Sequence, residues 1–396
     1  MIQEENGCSP YGNQTVSFRG VLYGSTALVG ASLLVDDKPA EAAEGLEVGL
    51  SGFLVSYYGI GDVDEADAET SNFNAVSTFF DGEVHIGGNV TFDNGLKLGV
   101  QTEVELPGSG TSQTLDETYL FLDSNLGEFR MGGDNTAMYR AAVGTFGASG
   151  VGVQINSGWI SSFIPATDDF QVAFRSPSVS TAIDLTNDDN VVTYFTPRLG
   201  GFQFGASYVP NASNNGVPTN GPVDLDGFEY NNGFSVAGNF VNDTSFYNYG
   251  VSIGYAQAHA GDAIEDVDGD DIQQLMVGIT GGAAGITLNA SYANEIQGRT
   301  FDDGGDIEST EGESFAIGAQ YDRAQWSYSI GYVHGEVEGD VAVDGDDQLD
   351  AFVLSARYNI APGLDFGASI LWADWDDETN GSQDGYIAAG GLNISF

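Results

Sequence analysis

The stretch Leu96-Lys97-Leu98-Gly99-Val100-Gln101-Thr102-Glu103-Val104-Glu105-Leu106 decides the fold of this 396-residue chain. Leu96, Leu98, Val100, Thr102, Val104 and Leu106 fall on one side of an extended backbone. Lys97, Gly99, Gln101, Glu103 and Glu105 fall on the other. Strict alternation of this kind marks a strand with one oily and one wet face. Working outward, similar segments recur at 46–54, 83–92, 115–124, 129–135, 191–196, 202–209, 233–241, 247–256, 272–280, 286–295, 314–322, 326–334, 349–359, 364–375 and 384–396. With 96–106 they make sixteen. Most approach the roughly ten residues that a tilted strand needs to cross a bilayer.

The connections alternate. After each even strand the link is short: D-N-G (93–95), L-G-E, R-L-G-G, N-D-T-S, G-G-A-A-G, R-A and A-P-G. After each odd strand it is long, near 60–78, 107–114, 137–189, 210–232, 257–271, 296–313, 338–348 and 376–383. Bacterial outer-membrane barrels are built with short periplasmic turns and long external loops. The predicted fold class is therefore all-β, a transmembrane antiparallel up-and-down barrel of sixteen strands with both ends on the periplasmic side. A soluble sandwich also alternates. It has no reason, however, to alternate short and long links throughout. Tyr and Trp near strand ends (Tyr57, Tyr58, Tyr208, Tyr255, Tyr292, Trp326, Trp372, Trp375) suit interfacial girdles.

Composition agrees. Gly is abundant (56), Pro scarce (10), and Tyr and Phe supply 42 of the 46 aromatics. The mean hydropathy of -0.11 leaves no long apolar span, and a barrel shows lipid only half of each strand. Against 58 acidic residues stand 10 basic ones, a formal net charge of -48. Nucleic acid is excluded as a natural partner by that sign. A water-filled passage would gather cations and deplete anions. General surface solvation explains part of the acidity. The single cysteine, Cys8, precludes a disulfide framework.

Residues 21–35 form an apolar run behind Arg19, followed by Ala40-Glu41-Ala42, an A-x-A site before Ala43. This pattern reads as a secretory signal peptide with an upstream extension, together 1–42, and a single barrel domain over 43–396. The run is too short to span a bilayer as a helix.

Three stretches carry a family likeness: A-E-G-L-E-V-G-L-S-G-F (43–53), L-F-L-D-S-N-L-G-E-F-R-M-G-G-D (120–134) and the final strand G-Y-I-A-A-G-G-L-N-I-S-F (385–396). On them the chain resembles the general porins of Gram-negative bacteria, the alphaproteobacterial type in particular. The resemblance implies a homotrimer in the outer membrane, in contact with lipid and lipopolysaccharide, that passes small hydrophilic solutes by diffusion. It implies that the third long loop, about 137–189, folds inward and constricts the pore. The apolar stretches V-G-T-F-G-A-S-G-V-G-V and W-I-S-S-F-I-P suit such docking. The terminal Phe396, with Leu392 and Ile394 on the same face, is similar to the signal read by the outer-membrane assembly machinery.

The resemblance also implies acids set across the pore from bases. Lys97 and Arg130 point to the wet face of their strands, and Arg140 and Arg175 lie in the loop. Glu103 and Glu105 share the Lys97 face, and Asp134 shares that of Arg130. Asp168, Asp169 and Asp184 lie in the loop, with Asp188 and Asp189 at its exit. For Arg198, Arg323 and Arg357, near periplasmic ends, pairing with local acids is the plainer reading. The acid excess predicts cation preference.

Asp266, Asp268 and Asp270 have the first spacing of an EF-hand loop, without the rest of that motif. They are candidate Ca²⁺ ligands, set against a solvated acidic surface that holds Ca²⁺ or Mg²⁺ loosely. No other cofactor is expected. His85, His259 and His334 lie far apart in sequence, without metal-ligand spacing. P-loop and H-E-x-x-H motifs are missing, and no Ser/His/acid set stands out, so the chain does not read as an enzyme. The reading is a passive, cation-preferring diffusion channel. Its rivals are a channel specific for one nutrient class, a structural or adhesive barrel without an open lumen, and an outer-membrane hydrolase.

Overall fold

The computed structural model describes residues 16–18, 45–64, 75–106, 115–144, 152, 156, 158–166, 177–186, 188–212, 230–244, 246–261, 270–303, 306–379 and 381–396. In chain order the elements are β1 (Val16–Phe18), β2 (Glu47–Asp64), β3 (Val76–Thr91), β4 (Lys97–Glu105), β5 (Thr118–Ser124), β6 (Gly127–Gly133), α1 (Ala137–Ala141), α2 (Trp159–Phe163), β7 (Asn190–Phe195), β8 (Phe202–Asn211) and β9 (Tyr230–Asp243). They continue as β10 (Tyr247–Ala260), β11 (Ile272–Ala283), β12 (Ile286–Gln297), β13 (Thr300–Asp303), β14 (Asp306–Arg323), β15 (Trp326–Asp340), β16 (Asp347–Ala361), β17 (Leu364–Asp377) and β18 (Gly381–Ser395).

Sixteen of these strands, β2–β12 and β14–β18, form one closed antiparallel ring. Each pairs with its neighbour in sequence, β12 pairs with β14, and β18 closes on β2 with Leu392 opposite Ser56. Closure removes every sheet edge, which a strand in lipid could not leave unpaired. The other two strands are outside the ring. β13 folds back on the start of β14, and β1 pairs with β2 around Leu50, beyond the reach of β18.

Alternation sets the two faces. On β17, Phe366 and Ile370 are exposed to the outside, while Gly367, Ser369, Leu371 and Ala373 are buried inside. Register carries this code across neighbours: Ser355 and Ser369 lie opposite one another, hydroxyls 2.8 Å apart. A slip of one residue would turn a whole strand inside out.

All sixteen predicted strands are present, several of them longer at the external end. β2 runs on to Asp64 and β14 begins at Asp306. Above the bilayer both faces meet water, so the apolar alternation fades while the backbone ladder continues. The turn expected at Leu126-Gly127-Glu128 sits one residue earlier. Gly127 (φ 123°) and Glu128 already belong to β6. The D-N-G turn holds, closed by the Gly95 amide on the Phe92 carbonyl at 2.8 Å with Gly95 at φ 83°.

Candidate functional site

The connection between β6 and β7 lies against the inner wall wherever it is described. α1 rests on β7–β10. The Ala137 and Met138 amides, which a helix start leaves without intrahelical partners, donate to Ser207 Oγ (2.7 Å) and Ser235 Oγ (3.0 Å). The Val143 amide donates to Ser252 Oγ (3.0 Å). Farther on, Ser314 Oγ donates to the Ser180 carbonyl and Thr181 Oγ1 pairs with Ser291 Oγ. Small wall residues permit this approach. A Cβ on Gly278 would stand 1.8 Å from the Val143 carbonyl oxygen, and one on Gly335 would stand 2.2 Å from that of Pro177.

α2 is held by apolar packing. Ile160, Phe163 and Ile164 join Phe53, Val55, Tyr57, Leu371, Trp375 and Ile387 in one buried cluster. Trp375 Nε1 donates to the Ile164 carbonyl at 3.0 Å. The inward side of β2 is therefore oily beneath this helix, not wet.

Asp184 ties the two ends of the connection. It is 1% exposed and accepts from the Thr136 amide (2.9 Å) and hydroxyl (2.5 Å). Its contacts are those of a pin. Arg299 adds a second tie, donating to the carbonyls of Leu185 and Ala212.

The inner face of β3–β6 is different. Here Glu83 and His85 from β3 meet Glu103 from β4, whose position is in register with His85. His85 Nε2 lies 2.7 Å from Glu83 Oε2 and 3.5 Å from Glu103 Oε2. Glu105 and Asp116 stand beside Glu83, their carboxylate oxygens within 4.8 Å of one another. Next come two guanidinium groups. Arg130 binds Glu128 (2.6 Å) and Asp134 (3.4 Å) and covers the Tyr119 ring. Arg140 binds Glu128 (2.6 Å) and covers Phe195. Asn135 Nδ2 donates to Glu117 Oε1. Burial, with the charges of Asp134 and Glu103 beside it, holds the Glu117 carboxyl well above the usual carboxylate range.

Of the residues singled out in the sequence, Glu103, Glu105, Arg130, Asp134 and Arg140 thus share one charged wall. Lys97 points inward but sits at the turn end of β4, over Phe121. It lies six positions from Glu103, about 20 Å along a strand. Asp168, Asp169 and Arg175 lie outside the described residues, as do Asp266 and Asp268. Asp270 is met by Gln297 Nε2 at 3.5 Å. At the external rim Asp347, Asp377 and Glu378 come together. Arg198 braces its turn through Gly201, Gln203 and Asn239. Leu392, Ile394 and Phe396 face outward, and Phe396 bonds Gly52 through both backbone groups. Glu83, Asp116, Glu117 and Glu128 are not among those residues, and His85 enters the sequence reading only as a histidine without metal-ligand spacing. The alternation places Glu83 and His85 on the wet face, but only the cross-strand register reveals that they meet Glu103.

The sequence pattern of the Gram-negative porins matches residues 25–378. The chain belongs to the Gram-negative porin family. It is an outer-membrane channel protein, and its barrel matches solved porins in fold. The anion-selective porin from Comamonas acidovorans superposes with a TM-score of 0.57 at 16% identity, covering 89% of this chain and all of that one. A Rhodopseudomonas blastica porin triple mutant gives 0.53 at 14%, covering 88% and 100%. A loop-deleted OmpT of Vibrio cholerae gives 0.52 at 14%, covering 89% and 99%. At such identities the likeness is one of fold alone. A comparison with curated proteins found no match.

Proposed function

We propose that this porin passes small hydrophilic solutes by passive diffusion, prefers cations, and works as a homotrimer. The carrying observation is the excess of acids on the inner face of β3–β6. Glu83, Glu103, Glu105 and Asp116 stand there, and the nearby Arg130 and Arg140 are bonded to Glu128 and Asp134. A cation about 5 Å from one carboxylate gains roughly 1–3 kcal/mol at effective dielectric constants between water and protein surface. That suffices for a several-fold preference. The fold does not set the sign, because one structural neighbour is anion-selective. The side chains on the wall do.

The trimer is supported by the height of the wall. β4, β5, β6 and β7 have 9, 7, 7 and 6 residues, against 18 in β2 and in β14. Most of these four fall short of the 9–11 residues needed to span lipid, so a second copy covering them would complete that side. Transport here needs no bond chemistry. Residues 1–42 are removed before Ala43, the outward Leu392, Ile394 and Phe396 guide assembly, and the external acids hold lipopolysaccharide through loosely bound Ca²⁺ or Mg²⁺.

The test is conduction by the refolded chain from Ala43 in a planar bilayer under a KCl gradient. Steps in groups of three with a cation-selective reversal potential are expected. An anion-selective potential overturns the preference, and a folded barrel without current overturns the channel.

A further inference from the structure

We infer that Glu83, His85 and Glu103 form a binding site for a zinc-class divalent ion on the inner wall. The ligand set comes from two adjacent strands. Glu83 and His85 are two apart on β3 and so share its inner face, and Glu103 stands opposite His85 on β4. Zinc binds imidazole nitrogen and carboxylate oxygen at about 2.0–2.2 Å in a tetrahedron, which spaces ligand atoms about 3.4 Å apart. The observed separations from His85 Nε2 are 2.7 and 3.5 Å, and all three ligand atoms lie within 4.8 Å of one another. Small side-chain shifts would bring the three around one ion.

The surroundings fit a metal site. The ring of His85 is 5% exposed and meets Phe53 edge-on at 6.4 Å, which fixes its plane. Gln101 Nε2 donates to Glu103 Oε1 at 3.2 Å, leaving Oε2 directed at the imidazole. Such outer hydrogen bonds orient ligands in metal centres. Glu83 and Glu103 keep side-chain exposures of 17% and 15%, so an ion can reach them.

Charge points the same way. Among the described residues, Glu83 and Glu103 have no ammonium or guanidinium partner. Their side-chain partners are His85 and, for Glu103, Gln101. A protonated His85 offsets one of these two carboxylates. A dication with neutral imidazole offsets both. The imidazole selects against Mg²⁺ and Ca²⁺, which take oxygen ligands, and favours a borderline ion. Binding would also subtract charge from the wall and weaken cation preference. That consequence rests on the channel reading, whereas binding itself does not.

The experiment titrates the refolded barrel in detergent with Co²⁺, read by its visible absorption, then displaces it with ZnCl₂ or MgCl₂. Expected are cobalt bands at micromolar metal that Zn²⁺ removes and a hundredfold excess of Mg²⁺ does not. His85→Asn and Glu103→Gln should each weaken binding about tenfold or more. His334→Asn, midway along β15, should not change it. Displacement by Mg²⁺ as readily as by Zn²⁺, or binding that survives Glu103→Gln and His85→Asn, overturns the site. Should His85→Asn not fold, Glu103→Gln with the wild-type displacement series decides alone. Zn²⁺ in the bilayer experiment should lower the cation-selective reversal potential. A barrel that binds cobalt but carries no current would break the channel reading and keep the site.

Discussion

The inner wall of this barrel has two halves that follow one outward rule and opposite inward rules. Around β8–β12 and β14–β18 the inward positions are chiefly Gly, Ala and Ser, with hydroxyls that take up backbone groups of the long connection. Around β3–β6, apart from Phe79 packed on α2, they are chiefly Glu, Asp, Arg, His and Tyr, several bonded to one another along the wall. The outward face is apolar in both. Lipid therefore dictates half of each strand, and the other half is free to choose between docking a loop and facing ions. Small residues let the backbone of the connection approach. Charged ones keep their hydration and repel a dry contact.

Breaking the docking half should produce the largest change. Gly278→Ala with Gly335→Ala drives a methyl group into two carbonyl oxygens, Val143 and Pro177, that have little room to retreat. Overpacking of this kind costs about 1–3 kcal/mol per site. We expect the connection to unseat, the conductance to rise and flicker, and cleavage within 137–189 by proteinase K to accelerate at least tenfold. Selectivity should keep its sign, because the charged half is untouched. Faster cleavage with unchanged conductance would separate docking from constriction, and unchanged cleavage would show that the connection stays seated.

A smaller effect is expected from Asp184→Ala. It removes a buried carboxylate that accepts two bonds from Thr136, each worth about 1.5–3 kcal/mol to a charged acceptor. Single-channel recordings should show longer-lived open substates with an unaltered reversal potential. A shift in selectivity would mean that Asp184 acts on ions directly.

The outward code was legible in the sequence down to the number of strands. Every segment that alternates in 96–106 fashion became a strand, because the bilayer imposes the pattern residue by residue. The inward code was legible only in part. Glu103, Glu105, Arg130 and Asp134 could be assigned to the wet face by parity. That Glu103 meets His85, and that Arg130 and Arg140 share Glu128, depends on register between strands and on where α1 lands. Parity carries no such information. It also misread Tyr57 and Trp375 as girdle residues, since both are fully buried in the apolar cluster that holds α2. Lys97 shows the same limit along the strand axis. Its side is right, but its height is at the turn.

The smallest predicted effect sharpens the charged half. Glu117 holds its proton above the usual carboxylate range because it is buried beside Asp134, Glu103, Asp188 and Asp116. Its raised folded value means that the neutral form contributes stability at acid pH, and this is lost as pH rises through that value. Over the same interval the wall gains one charge. Cation preference should therefore grow modestly with pH above the carboxylate range, and Glu117→Gln should flatten both trends. An identical pH profile in the variant would assign the titration to other wall acids.

The central claim is that the charged half, rather than the net charge of -48, sets ion preference. The direct measurement compares reversal potentials, in one KCl gradient, of wild type, Glu83→Gln/Glu103→Gln/Glu105→Gln, and Asp344→Asn/Asp346→Asn/Asp376→Asn at the exposed external rim. Each triple variant removes three acids. The account predicts that the wall variant loses most of its cation preference and the rim variant keeps it. Equal losses in both, or a loss confined to the rim variant, would contradict it.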